Sequence, residues 1–376
     1  MKKTIKIIIT ALLVLTCFSA LSAKDYLPSA ENVKFLGRTH TENDVLWAFF
    51  SSSGVAFNVD ARRLDVTIAG DSGTPQRKDN GSLARLAVFV NGERKLDQLI
   101  MKQEETFTVF DEANPVKGEV RIIKISESAN SILGIKSISV DQDGTISPAN
   151  QKSLKIEFIG DSITCGYGVD DEDRNHHFAT STEDNTKTYA YKTAQALDAD
   201  YSMVSVSGWG IVSGYTSAQK NPDSVLPKIY EKVGFTYGNK FNNKQPQSLT
   251  WDFNRFVPDF IVINLGTNDA SWTKKDAKKV EDYKKGYVKF LKQIRAKNKD
   301  AQIICSLGIM GGDLFPAIEE AVEEYKSQTG DEKVCSLKFA NQSMADGIAA
   351  DWHPTEKTHA KAGKVLTEKI KSLTDN

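Results

Sequence analysis

The hydrophobic positions follow two different rhythms along the chain. From residue 24 to about residue 145, short runs rich in β-branched and aromatic residues alternate with turn sequences such as Asn91-Gly92 and Asn114-Pro115. The runs are Val45–Phe50, Gly54–Val59, Leu64–Ile68, Leu86–Val90, Thr106–Val109, Val120–Ile125 and Ile135–Val140. This pattern predicts an all-β domain over residues 24–145, a sandwich of the jelly-roll type. The polar residues 146–152 have the composition of a linker.

Strand-like and helix-like stretches alternate over residues 153–376. The predicted strands are Leu154–Ile159, Tyr201–Val206, Phe260–Leu265, Ile303–Ile309 and Val334–Phe339. Amphipathic stretches with helical spacing lie between and after them, and Thr273 with Asp276 is predicted to form a capping box at the start of one helix. Five strands alternating with helices predict an α/β domain whose parallel sheet is covered by helices on both faces.

The N-terminus has the pattern of a cleavable signal peptide. Lys2, Lys3 and Lys6 precede an apolar run, Ile7–Phe18, and small residues follow up to Ala23. We therefore expect residues 1–23 to be removed and the mature protein to be secreted or periplasmic. Loss of three lysines and no acids changes the formal charge from −1 to −4. A chain of that charge, without a basic cluster, is not expected to bind nucleic acid or, after signal removal, a membrane. We expect a monomer.

Polar and glycine residues follow the predicted parallel strands where the strands end. They are Ser162, Gly208, Asn268 and His353, and Gly210 is an alternative to Gly208. Ligands bind beyond the carboxyl ends of parallel strands, so these residues are expected to converge. Their types suit one reaction, in which a histidine activates a serine hydroxyl, and a glycine N–H and an asparagine amide stabilise an oxyanion.

These blocks resemble those of the SGNH/GDSL hydrolases. The matching segments are Gly160-Asp161-Ser162, Gly208, Gly266-Thr267-Asn268-Asp269 and His353-Pro354. The resemblance implies a flavodoxin-like three-layer α/β/α domain over residues 153–376. It also implies that Ser162 is the nucleophile, that His353 is the base, and that Ser162, Gly208 and Asn268 form the oxyanion hole.

A predicted β-domain before the hydrolase blocks resembles carbohydrate esterase family 2. Gly37-Arg38, the segment from Gly54 to Phe57 and Asp351-Trp352-His353-Pro354 carry this resemblance. It implies a secreted acetylesterase that removes acetyl groups from plant polysaccharide sugars and needs no metal or organic cofactor. Most SGNH enzymes place an aspartate three residues before the histidine, but residue 350 is Ala and the aspartate is Asp351. Asp351 is therefore a triad candidate, and a Ser–His dyad is the alternative.

Four aromatic residues adjoin these blocks and are candidates for contact with a sugar: Trp272 first, then Trp209, Tyr167 and Trp352. Two other functions stay open. A lipase-like or short-chain esterase would use the same machinery on other esters, and a carbohydrate-binding protein would bind sugar without turnover. His176 and His177 lie in an acidic loop that lacks a recognisable metal-ligand spacing, so no metal site is expected there.

Overall fold

The computed structural model describes residues 23–77 and 81–374, so nearly all of the predicted signal peptide lies outside the described residues. Fifteen strands and six α-helices are found in this part of the chain. The strands are β1 (Lys24–Tyr26), β2 (Lys34–Leu36), β3 (Thr39–Glu42), β4 (Val45–Ala48), β5 (Gly54–Gly70), β6 (Arg85–Val90), β7 (Glu93–Leu99), β8 (Glu104–Lys124), β9 (Leu133–Val140), β10 (Thr145–Pro148), β11 (Lys155–Gly160), β12 (Asp200–Ser205), β13 (Phe260–Asn264), β14 (Gln302–Ile309) and β15 (Val334–Asn341). The helices are α1 (Ser162–Cys165), α2 (Tyr189–Ala196), α3 (Thr267–Thr273), α4 (Ala277–Lys297), α5 (Phe315–Thr329) and α6 (Glu356–Thr374).

The first ten strands form one antiparallel sheet, hereafter the β-domain. Its longest strands, β5 and β8, pair with each other. In addition, β5 pairs with β9, and β8 pairs with β6. Register shifts along β5 mark bulges, which bend the sheet so that it curls over its own apolar core. The predicted all-β domain is confirmed.

The polar segment predicted to be a linker belongs in part to this sheet. Thr145–Pro148 forms β10, which pairs with Asp60–Phe57 of β5, so the linker prediction for residues 146–152 is wrong over residues 146–148. Only one residue of β10 is even partly buried, because it is an edge strand. Its composition therefore resembles that of a loop.

The last five strands form a parallel sheet in the order β12-β11-β13-β14-β15, as predicted for the α/β domain. The N-terminal capping of α4 differs from the prediction. Asp276 itself is the N-cap and accepts a hydrogen bond from the Lys279 N–H at 3.0 Å, while Thr273 is the last residue of α3. The two residues therefore belong to different helix ends and form no capping box.

The two domains share a hydrophobic core. Leu36, Phe89 and Ile123 of the β-domain pack in one cluster with Phe158 and Ile163 of the α/β domain. Polar contacts add to it, and Arg38 is fully buried with its guanidinium on the Glu157 carboxylate at 3.1 Å. The β-domain thus packs against the domain that contains the parallel sheet and supports it. Among the described residues, no helix is both long and apolar enough to cross a membrane.

Candidate active site

The carboxyl ends of three neighbouring strands bring the predicted blocks together. Gly160, the last residue of β11, pairs with Ser205 of β12 on one side and Asn264 of β13 on the other. The segments that follow these three residues therefore begin side by side. They carry Ser162, Gly208 and Asn268 in that order.

Ser162 is the first residue of the short helix α1, and its environment is set by the residue before it. Asp161 is the N-cap, and its Oδ1 accepts the Ile163 N–H at 3.1 Å. The helix ends after one turn because Gly166 takes a left-handed conformation with φ of 88°. Burial raises the pKa of Asp161 to about 7. Asp161 therefore braces the turn that presents Ser162.

Asn268 links the loops that follow all three strands. Its Nδ2 donates to the Trp209 carbonyl at 2.8 Å and to Asp161 Oδ2 at 3.2 Å. The neighbouring Asp269 accepts the N–H groups of residues 211, 212 and 213 at 2.8–2.9 Å. Burial raises the pKa of Asp269 to about 6, while those three hydrogen bonds lower it. The α3 helix thus fixes the loop that contains Gly208.

The structure distinguishes Gly208 from Gly210. Gly208 has φ of 78°, a Cβ added there would meet no atom within 4 Å, and among the described residues its N–H has no backbone partner. The Gly210 N–H donates to the Ser224 carbonyl, and a Cβ there would lie 2.5 Å from Asp269 Oδ2. Gly208 is therefore the glycine whose N–H is available to a ligand, and Gly210 is a packing glycine.

His353 lies against the segment that follows the serine. Its ring stacks on Tyr167 with 3.8 Å between centroids, and the Tyr167 N–H donates to the Ser162 carbonyl at 3.2 Å. Nδ1 lies 3.2 Å from the Ala350 carbonyl and 3.1 Å from the Asp351 carbonyl, so it carries the proton in the neutral ring. Nε2 is buried and has no partner within the described part of the chain. Burial lowers the pKa of His353 to about 4, which keeps the ring neutral at pH 7.

The carboxylate of Asp351 points away from the His353 ring. It accepts the Tyr167 hydroxyl at 2.5 Å, lies 2.8 Å from Nδ1 of His177 and accepts the Phe178 N–H at 3.0 Å. The contact between this carboxylate and the imidazole that a triad requires is therefore not made, and the backbone carbonyls of Ala350 and Asp351 take its place, as the dyad alternative requires. Asp351 and Trp352 both have positive φ, 47° and 64°, and this left-handed turn directs the side chain and the carbonyl of Asp351 to different neighbours.

The four predicted aromatic contacts differ in exposure. Trp272 is 7% exposed and covered by two lysine ammonium groups, and Trp209 is 3% exposed, so neither ring offers a free face to a sugar and both predictions need correction. One face of the Tyr167 ring stacks on the His353 ring. Trp352 is 53% exposed, with the Arg174 guanidinium 4.5 Å from its ring centroid.

Two exposed aromatic residues were not predicted from the sequence. Tyr215 is 66% exposed, and its N–H donates to the Gly208 carbonyl at 2.7 Å. Tyr237 is 65% exposed, and its hydroxyl accepts the Trp209 indole N–H at 3.3 Å. Both lie in long irregular segments after β12, where no periodicity or motif identifies them. They border the Gly208 loop and provide apolar surface beside it.

One buried group within the described ranges has ligand atoms close enough for a metal ion. Glu127, Cys165 and Glu183 place them within 4.8 Å of one another. Burial raises the pKa of both carboxyl groups. Lys124, also fully buried, donates to the Glu127 carbonyl at 2.6 Å and supplies a positive charge, and burial lowers its pKa to about 8.

In the acidic loop, His176 contacts the Asp171 carboxylate at 2.9 Å.

Comparisons with known proteins agree with this architecture. The model of the GDSL-like lipase/acylhydrolase family matches residues 158–361, and the model of the carbohydrate esterase 2 N-terminal domain matches residues 35–149. Because the first model covers more than half of the chain, the protein belongs to the GDSL-like lipase/acylhydrolase family. Its β-domain matches the N-terminal domain of carbohydrate esterase family 2, and the family assignment makes the protein an ester hydrolase.

The relatives include enzymes named for action on plant polysaccharides. The cellulase/esterase CelE of Acetivibrio thermocellus is 34% identical over 223 residues, which are 58% of this chain but only 25% of that protein. An acetylxylan esterase / glucomannan deacetylase of Cellvibrio japonicus is 26% identical over 351 residues, 92% of this chain and 90% of that one. The acetyl xylan esterase Est2A of the rumen bacterium Butyrivibrio proteoclasticus superposes with a TM-score of 0.85 at 28% identity, covering 95% of this chain and 99% of that chain.

Proposed function

We propose that the protein is a carbohydrate O-acetylesterase that acts through an acetyl-enzyme on Ser162. The observation that carries this proposal is the state of His353. Its ring is neutral, its Nδ1 proton is fixed by carbonyls, and its buried Nε2 is unpartnered among the described residues. A base next to a serine-bearing segment needs these properties. Catalytic hydrogen bonds are often long without substrate, so a direct bond to the serine is not required here.

In the proposed reaction, Ser162 Oγ attacks the acetyl carbonyl while His353 Nε2 takes its proton. The N–H groups of Ser162 and Gly208 and the amide of Asn268 stabilise the oxyanion. Because Asn268 already donates to Trp209 and Asp161, it would share or exchange one of these bonds during the reaction. The sugar alkoxide then leaves with the proton from His353. Water attacks the acetyl group with the same base, and acetate departs.

Acetylated plant polysaccharide is the substrate class that we propose. The names of the relatives support it, as does the structure of a related family two carbohydrate esterase from Clostridium thermocellum determined with cellohexaose (TM-score 0.78, 25% identity, 91% of this chain and 99% of that one). The exposed rings of Trp352, Tyr215 and Tyr237 would provide faces on which sugar rings stack. We also propose that residues 1–23 direct export and are removed.

The test is acetate release from acetylated xylan and from p-nitrophenyl acetate, with p-nitrophenyl octanoate for comparison. We expect the parent protein to act on both acetyl esters and to prefer acetyl over octanoyl. Ser162→Ala should lose roughly a thousandfold or more in kcat. Equal or faster hydrolysis of the octanoyl ester would favour a lipase-like esterase. Sugar binding without turnover would favour a binding protein.

A further inference from the structure

A buried carboxylate of the β-domain contacts the loop that carries Gly208 and the helix that begins with Ser162. Glu127 follows the end of β8 and is 2% exposed. Its Oε2 accepts the Ser207 N–H at 2.8 Å and lies 3.7 Å from the Cys165 thiol. Ser207 immediately precedes Gly208, and Cys165 is the last residue of the helix that begins with Ser162. One oxygen atom therefore contacts the two elements that carry the Ser162 and Gly208 N–H groups.

The position of this carboxylate is itself fixed. The other oxygen, Oε1, lies 3.3 Å from the Asn130 amide, and the Glu127 N–H donates to Glu183 Oε2 at 2.8 Å. Lys124 holds the Glu127 carbonyl at 2.6 Å. These partners leave Glu127 little freedom to follow a movement of the Ser207 loop. The β-domain therefore fixes the position of Glu127, and Glu127 in turn restricts the Ser207 loop.

Oxyanion donors act because they are held in place before the charge develops. The Gly208 N–H belongs to a loop whose glycine has φ of 78° and no side chain to pack, so its position depends on neighbouring anchors. Asp269 holds the far side of this loop through residues 211–213. Glu127 holds the near side through Ser207.

We propose that Glu127 is a positioning residue through which the β-domain sets the Gly208 loop relative to the Ser162 helix. The β-domain then takes part in building the oxyanion hole, besides supporting the parallel sheet. This inference rests on the proposed function, because it assigns Glu127 a role in the same reaction. Within the described part of the chain, the Glu127 carboxylate bonds to none of the proposed catalytic groups, so in this proposal it acts through Ser207 and Cys165.

The strand that precedes the Gly208 loop, β12, offers a matched control at its amino end. Asp200, the first residue of β12, forms a buried ion pair with Lys34 of the β-domain. Like Glu127, Lys34 is a buried charged residue of the β-domain that contacts β12 or its flanking loop. It lies at the amino end of the strand, away from Ser162. Lys34→Met therefore perturbs the domain interface without touching the Gly208 loop.

The experiment compares Glu127→Asp, Glu127→Gln and Lys34→Met with the parent in hydrolysis of p-nitrophenyl acetate, with phenylboronic acid as a reversible tetrahedral analogue. Glu127→Asp shortens the side chain by one methylene and withdraws the acceptor. We expect its kcat to fall about tenfold or more, part of the roughly hundredfold or greater loss seen when an oxyanion donor is removed. KM should stay within about twofold, and boronate affinity should fall with kcat. Glu127→Gln keeps the reach and an acceptor oxygen, and should stay within about threefold of the parent.

Lys34→Met should lower the thermal unfolding midpoint while kcat and boronate affinity stay within about twofold. The inference is overturned if Glu127→Asp keeps its kcat, if Glu127→Gln loses as much as Glu127→Asp, or if Lys34→Met loses kcat to the same extent. Failure of the proposed function would appear separately, as an inactive parent or a Ser162→Ala variant equal to it.

Discussion

The replacement Asp351→Asn tests whether the histidine works without a carboxylate partner. Asn is the suitable substitute because residue 351 has φ of 47°, a conformation that Asn tolerates better than Ala. The substitution removes the negative charge and leaves the backbone carbonyl that faces His353 Nδ1 at 3.1 Å. The tautomer and orientation of the ring should therefore persist.

The expected size of the effect follows from the contacts that change. The carboxylate bonds to Tyr167, His177 and Phe178 would weaken, at a cost of about 1–3 kcal/mol in the free energy of unfolding. Part of that loss would loosen Tyr167, whose ring stacks on His353. We expect kcat to fall by less than about tenfold. In Ser-His-Asp proteases, the same substitution of the triad aspartate lowers kcat by about 10⁴ because the histidine takes the wrong tautomer.

The assay is steady-state hydrolysis of p-nitrophenyl acetate at pH 7, with urea unfolding of the same preparations. Tyr167→Phe is the matched control, since it removes the hydroxyl that meets the carboxylate and keeps the stacked ring. Its kcat should fall to a similar, small extent. A thousandfold or greater fall for Asp351→Asn, with a small effect of Tyr167→Phe, would refute the dyad and restore the triad.

Two further predictions follow from burial in the site, and a third follows from the exposure of Trp352. The acid limb of kcat/KM should lie near pH 4 instead of about 6.5, because His353 must be neutral and burial lowers its pKa to about 4; a pH–rate profile with a limb at 6.5 would contradict this. Asp269→Ala should lower the free energy of unfolding by about 3 kcal/mol, since three N–H groups, two of them in buried hydrogen bonds, lose their acceptor, and an unchanged urea midpoint would exclude that role. Trp352→Ala should raise KM for an acetylated xylo-oligosaccharide about three- to tenfold and leave p-nitrophenyl acetate unaffected, whereas equal effects on both substrates would argue against sugar stacking.

Residue pattern was sufficient to predict the parallel sheet and the meeting of its loops. Five buried runs alternating with helical stripes have few other arrangements, and strand ends converge by geometry. The side-by-side placement of the loops that carry Ser162, Gly208 and Asn268 follows directly from the pairing of Gly160 with Ser205 and Asn264. An exposed edge strand has no such signal, so residues 146–148 of β10 are predicted from the sequence to be part of a linker.

The details of the site depend on features that sequence spacing does not encode. A left-handed turn at Asp351 decides whether its carboxylate or its carbonyl faces the histidine. Trp272 is buried, and the ammonium groups over its ring come from Lys279 and from Lys220, which is distant in the chain. Glu127 belongs to the other domain and lies in no motif, so only the packing of the two domains reveals its contact with Ser207.

The central claim is that Ser162 is the nucleophile of an esterase, and covalent labelling tests it most directly. A p-nitrophenyl phosphonate ester transfers its phosphonyl group to an activated serine oxygen and releases p-nitrophenolate. We predict one phosphonyl group per chain by intact mass, located on the peptide that contains Ser162, and greatly slowed labelling in His353→Ala. Labelling of a different residue, or a chain that hydrolyses acetyl esters with Ser162 unmodified at full inhibition, would contradict the account.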